Sequence, residues 1–168
     1  MTAMSAEPAA RPAHPSPAHL PPETFRTVVA STPLVAIDLL VRDGDGRYLV
    51  GRRRNPPARG SWFVPGGRIR KDERLAQALQ RLCEEELGGG TRVGAAVFRG
   101  AYEHFYDINF AGEEGASTHY VVLAYEMALE QATAALPEAQ HGAYRWMAPA
   151  ELLADPEVHA NTRAYFER

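Results

Sequence analysis

From Leu34 to Val41 the chain reads L-V-A-I-D-L-L-V, apolar at every position but one. A run this continuous predicts a strand covered on both faces rather than a half-exposed one. Asp38 interrupts it, and an acid there needs a partner unless it lies at an edge or bulge facing water. The turn signal Asp43-Gly44-Asp45-Gly46 follows, then R-Y-L-V-G-R-R-R alternates as a second strand, so the pair reads as a hairpin. Pro56, Pro57 and Gly60 mark a loop. Trp62 to Val64 is a short strand entering a turn at Pro65-Gly66-Gly67, where missing side chains let the main chain approach a ligand.

From about Asp72 to Leu87 the period lengthens to that of a helix, with Asp72 as its N-cap and Gly88 to Gly90 stopping it. Leu75, Ala78, Leu79, Leu82 and Glu86 fall on one face, and Gln77, Gln80, Arg81 and Glu84 on the other. Glu86 therefore ends the stripe that should be packed. Burying an unpaired carboxylate costs several kcal/mol, on the order of the Born penalty left after relaxation, so a cation or a good partner is expected there. The plainer reading is a helix end that frays into water or pairs with an arginine.

Two long strands, Arg92 to Tyr106 and Thr118 to Leu129, should form an antiparallel pair across a polar, glycine-containing loop. Ala143 to Met147 is a last short strand. Pro149 to Leu153 and Ala160 to Arg168 are helix candidates, as is Glu23 to Ala30 after a proline pair. The order predicts an α/β chain, a mixed sheet with helices on both faces. Residues 1–19 belong to a stretch carrying much of the chain's proline and almost nothing to bury, so they are read as a disordered tail ahead of one domain, 20–168.

Composition narrows the partners. The net charge of -3 argues against a nucleic-acid or membrane surface, yet Arg52, Arg53, Arg54, Arg59, Arg68 and Arg70 cluster in one stretch, which suits a small anion. The single cysteine, Cys83, excludes an internal disulfide and reads as a core or boundary residue. No apolar run has membrane-spanning length and no leader pattern opens the chain, so a cytoplasmic protein is expected.

The spacing Gly67, Glu73, Arg81, Glu85-Glu86 and Gly88 resembles the Nudix box, the loop-helix-loop metal site of the Nudix hydrolases. In full form the box has a glutamate directly after the arginine, where this chain has Leu82. That departure resembles the GDP-mannose mannosyl hydrolases, a Nudix branch that shares it. The likeness extends to S-T-P-L-V at Ser31 to Val35, W-F-V-P-G-G-R at Trp62 to Arg68, H-F-Y-D at His104 to Asp107, T-H-Y-V-V at Thr118 to Val122, and H-A-N-T-R-A-Y-F at His159 to Phe166.

The resemblance implies the Nudix fold, an α/β/α sandwich, and a magnesium ion (manganese as substitute) held by the carbonyl of Gly66 and the side chains of Glu86 and Gln140. It implies hydrolysis of GDP-mannose, and possible turnover of GDP-glucose, by water attack at the anomeric carbon with inversion. His141 is then the candidate base, since an imidazole accepts a proton near neutrality. Arg53 and Arg68 are candidates to stabilise the departing phosphate, while Asp38, His104 and Tyr120 line the sugar and phosphate pocket. Leu20 and Phe25 match positions that contact the nucleotide, in that branch across a homodimer interface. Read from the residues alone, His141 and Gln140 are more simply surface-loop groups, while Arg53 is equally a solvated strand end and Phe25 equally an ordinary helix contact. Two other functions stay open: a pyrophosphohydrolase cutting between phosphorus atoms, for which Glu85-Glu86 speaks, and a nucleotide-sugar sensor without chemistry.

Overall fold

The computed structural model describes residues 20–56, 58–132, 136–138 and 141–167. The predicted first strand is the central one. β1 (Leu34–Arg42) pairs in parallel with β7 (Glu114–Gln131), residue by residue from Leu34↔Tyr120 to Arg42↔Ala128, and antiparallel with β2 (Tyr48–Arg53) through the predicted hairpin. Ile37, Leu39 and Val41 are fully buried, as a strand covered on both faces requires. β3 (Trp62–Phe63) and β8 (His141–Met147) join β2, β4 (Gly66–Arg68) joins β1, and β5 (Arg92–Val93) and β6 (Val97–Ile108) join β7.

Side chains alternate across the sheet and so divide the core in two. On one face Ile37, Leu39, Val41 and Leu49 pack against Ala78, Leu82 and Leu87 of α2 (Leu75–Leu87). On the other, Leu40, Val50 and Trp62 pack against Leu152 of α3 (Pro149–Ala154), Val158, and Tyr165 beyond α4 (Ala160–Arg163). This is the mixed sheet with helices on both faces. α1 (Pro22–Ser31) begins on a proline at its first position, where no amide hydrogen is needed, and buries Val29.

Five expectations of local structure are corrected. Asp72 does not cap α2: its φ is 68°, outside the helical region, and the helix starts at Leu75, where the Gln77 side chain accepts from the Arg74 amide at 2.9 Å. Leu75, at the first position of that helix, is exposed rather than packed. The strand expected from Arg92 to Tyr106 breaks between Val93 and Val97, giving β5 and β6. The last helix ends at Arg163, and a turn follows it.

Gly66 and Gly67 were expected in a turn, but they lie in β4, opposite Asp38 and Ile37 of β1. A Cβ on Gly66 would collide with the Asp38 carboxylate and the Ile37 carbonyl. Gly66→Ala is therefore expected to destabilise the fold by about 1–3 kcal/mol, the usual cost of overpacking. Chemical denaturation reads this directly, and an unchanged midpoint would mean the two strands can part at no cost.

Candidate active site

The arginine of the predicted helix organises the loop ahead of it. Arg81 donates through Nε and Nη2 to the two carboxylate oxygens of Glu73 at 2.7 and 2.8 Å, and through Nη2 to the Arg68 carbonyl at 2.9 Å. Glu73 also accepts from the Arg70 amide at 2.8 Å. Bidentate charge-assisted bonds of this kind fix both ends of a loop, here the segment between β4 and α2. Glu85 on the next turn is held by Arg70 at 3.0 Å and Arg81 at 2.9 Å. Leu82 sits inside this frame, 2% exposed in the core, and a Cβ on Gly67 would come within 2.7 Å of its methyl group.

Above the frame opens a cavity of about 520 Å³, within the range of small-molecule sites. Its polar wall carries Asp38, Arg53, Gly66, Arg68 and Glu86; His104, Tyr120, Leu20 and Phe25 complete the set of predicted site residues that line it. Residues from β1, β2, β4, α2, β6 and β7 thus converge on one space.

Glu86 is 3% exposed, so it does not fray into water. Its Oε2 lies 3.9 Å from His141 Nδ1. Arg53 packs its guanidinium 5.6 Å from the centre of the Phe63 ring, and its Nε is buried with no acceptor among the described residues. A buried charged donor left unmatched is a standing demand for an anionic oxygen. Arg68 lies 4.0 Å over the ring of Phe25, whose other neighbour is Phe110 at 4.5 Å. Phe25 therefore faces the cavity of its own chain.

Asp38 is not an edge residue. It faces the packed side of the sheet, is 6% exposed, and accepts a 2.6 Å hydrogen bond from the Tyr165 hydroxyl. Burial pushes its pKa up to about 7, against the opposing pull of that bond and of Arg53. His104, 4% exposed, meets the same hydroxyl at 3.0 Å and is pushed down to about 4, by burial first and then by His159.

His141 is placed differently. It opens β8 and is 2% exposed, its ring lying on Gly51 where any Cβ would collide with it. It stands behind Glu86 and is not among the residues lining the cavity. Its Nδ1 is 3.3 Å from the Tyr144 hydroxyl, which donates to the Pro137 carbonyl at 2.6 Å, and its Nε2 is buried with no partner among the described residues. Burial and then Arg53 push its pKa down to about 4, so it is neutral above that value. Gln140 lies outside the described residues.

Sequence reasoning assigned no role to Tyr165 or Tyr106, both of which bear on the site. Tyr165 stands within the quoted H-A-N-T-R-A-Y-F run, the one signal that could have drawn attention to it. Cys83 contacts Met127 through sulfur at 3.8 Å and burial pushes its thiol up, in keeping with a packing role.

The donors suit a hard divalent cation. Among the described residues no cluster of three His, Cys, Asp or Glu side chains could enclose a metal alone. The buried carboxylate of Glu86 and the Gly66 main chain, lining the same cavity, offer a few oxygens and leave the other positions to ligand phosphates and water, the arrangement magnesium accepts.

Residues 32–168 match the model of the NUDIX domain. Over 112 residues, 66% of this chain and 69% of the relative, the sequence is 43% identical to the Low-salt glycan biosynthesis protein Agl8 of Haloferax volcanii. Among solved structures, the MutT NUDIX hydrolase from Burkholderia pseudomallei is similar with a TM-score of 0.64 and 27% identity, covering 81% of this chain and 97% of that one. The NUDIX domain of Shewanella oneidensis NrtR, complexed with ADP ribose, shares the fold with a TM-score of 0.59 and 21% identity, covering 88% of this chain and 90% of that one. No helix of the described residues is long and apolar enough to cross a membrane.

Proposed function

We propose that this chain, which belongs to the Nudix hydrolase family, hydrolyses GDP-mannose to GDP and the free hexose by attack of water at the anomeric carbon. The observation that carries this reading is Leu82. The position after Arg81 is filled by a core side chain 2% exposed, so the wall facing the phosphates lacks the box carboxylate that would activate water against phosphorus. Glu85 is a poorer substitute, since an arginine holds each of its oxygens.

Attack at carbon makes different demands. The pyrophosphate leaves as a stable anion and needs charge neutralisation more than a proton, which removes the general acid from the two-carboxylate scheme of inverting glycosidases. Arg53, with its unmatched Nε, and Arg68 supply that neutralisation by bidentate contact with phosphate oxygens. A magnesium ion held by Glu86, the Gly66 carbonyl and Gln140 would supply further charge neutralisation for the leaving group when bound. Phe25 offers an aromatic face to the base. Asp38, His104 and Tyr120 orient the sugar, and His141 accepts the proton of the attacking water. The likeness to a glycan biosynthesis protein agrees with a sugar-nucleotide substrate. GDP-glucose is the nearest alternative hexose, manganese the nearest alternative metal, and a homodimer the proposed assembly.

Hydrolysis in water carrying the heavy oxygen isotope decides between carbon and phosphorus. The label is expected in the hexose. Label in the phosphate would replace this reading by the pyrophosphohydrolase one, and tight nucleotide-sugar binding with no turnover under added magnesium would replace it by a sensor.

A further inference from the structure

The segment after α4 brings to the cavity a group that the chemistry above does not use. Tyr165 is 8% exposed, and its ring stands edge-on to Tyr102 with centroids 4.6 Å apart. Its hydroxyl lies 2.6 Å from Asp38 Oδ2 and 3.0 Å from His104 Nε2, joining β1 to β6 across 127 residues of sequence on one side and 61 on the other. Both partners line the cavity.

A phenol has one hydrogen to donate and lone pairs with which to accept. An ionised carboxylate can only accept, so the Tyr165 hydrogen goes to Asp38. The second contact is then attractive only if His104 Nε2 carries a hydrogen and donates it to the phenolic oxygen; with a bare Nε2, two lone pairs would face each other. Burial keeps His104 neutral, so its imidazole has one N–H to place, and the bond at one nitrogen decides the other. Burial raises Asp38 to about 7 against the opposing pull of the Tyr165 bond and of Arg53, so the carboxylate is the ionised acceptor at mildly alkaline pH. Tyr106 and Tyr120 face the same carboxylate, and His159 faces His104.

We propose that Tyr165 is a positioning residue of this site: its hydroxyl holds Asp38 and fixes His104 as the Nε2–H tautomer, which leaves Nδ1 as the acceptor this imidazole presents to a ligand hydroxyl. The last clause rests on the reading of the cavity as a sugar-nucleotide site. The hydrogen-bond chain itself does not, because it is built from the protein alone.

The test is long-range nitrogen–proton NMR on the ligand-free protein with labelled histidines at mildly alkaline pH, the His104 signals being assigned by their loss in His104→Gln. Wild-type protein is expected to show His104 protonated at Nε2. In Tyr165→Phe the population should move toward Nδ1–H, and kcat on GDP-mannose should fall by about tenfold or more through misorientation, with the magnesium dependence unchanged. A wild-type spectrum with the hydrogen on Nδ1 overturns the proposal whether or not the phenylalanine variant folds. So does a folded Tyr165→Phe protein with the tautomer or kcat unaltered. Because the tautomer is read without substrate, its failure is separate from a failure of the GDP-mannose reading, which the isotope experiment judges.

Discussion

Glu86→Gln is expected to lower turnover by on the order of a hundred- to a thousandfold while leaving the fold intact. Glu86 is 3% exposed beside the cavity, and glutamine matches its volume, so the packing of α2 against β1 has no reason to change. What is lost is the charge. A neutral amide cannot neutralise a divalent cation, and the two arginines then face the diphosphate without the third cation of the proposed site. The effect should therefore appear as a magnesium titration displaced to much higher concentration, with thermal unfolding close to wild type. An unchanged titration would remove Glu86 from the metal site.

The second large effect belongs to His141. His141→Gln is expected to lower kcat by about a hundred- to ten-thousandfold, the contribution of a positioned general base, and to lower it least at high pH, where hydroxide substitutes for that base. The folded protein holds the imidazole near 4, below its ordinary 6.5. It thus loses its acceptor lone pair only as pH falls through about 4, so the acid limb attributable to it should lie well below the usual histidine range. The placement of His141 sharpens this experiment. Its ring rests on Gly51 behind Glu86 and off the cavity wall, and its unpartnered Nε2 is the nitrogen free to accept. A variant with wild-type turnover at neutral pH would exclude His141 and turn attention to Asp38, the acid on the cavity wall held near neutrality.

Much of the fold was legible because burial writes itself as periodicity. Leu34 to Val41 announced a strand covered on both faces, and the apolar positions of α2 placed Ala78, Leu82 and Glu86 on its inner side as found. Tertiary context decided the rest. Asp72 is a good cap by residue type, but the Arg81–Glu73 pair fixes the loop ahead of α2 and the helix begins three residues later. The two glycines after Pro65 carry the same local signal in a turn as in a strand pressed against β1, and only the neighbour distinguishes them. For the site, the charged residues around the box could be found from spacing. The H-A-N-T-R-A-Y-F run could mark Tyr165 but not its role, which comes from meeting Asp38 and His104 across the core, a relation that no local pattern encodes.

The bond between Tyr165 and Asp38 has a kinetic corollary. It closes a loop of 127 residues, and the central β1–β7 pair is itself parallel and distant in sequence. Contacts of such separation are formed against chain entropy and slow the approach to the native state. During refolding, α2 can regain its helical signal early from local bonds, while the cavity floor waits for the far end of the domain to dock. Stopped-flow refolding should accordingly show helical circular dichroism returning ahead of nucleotide-sugar binding, with competence for catalysis as the last property acquired.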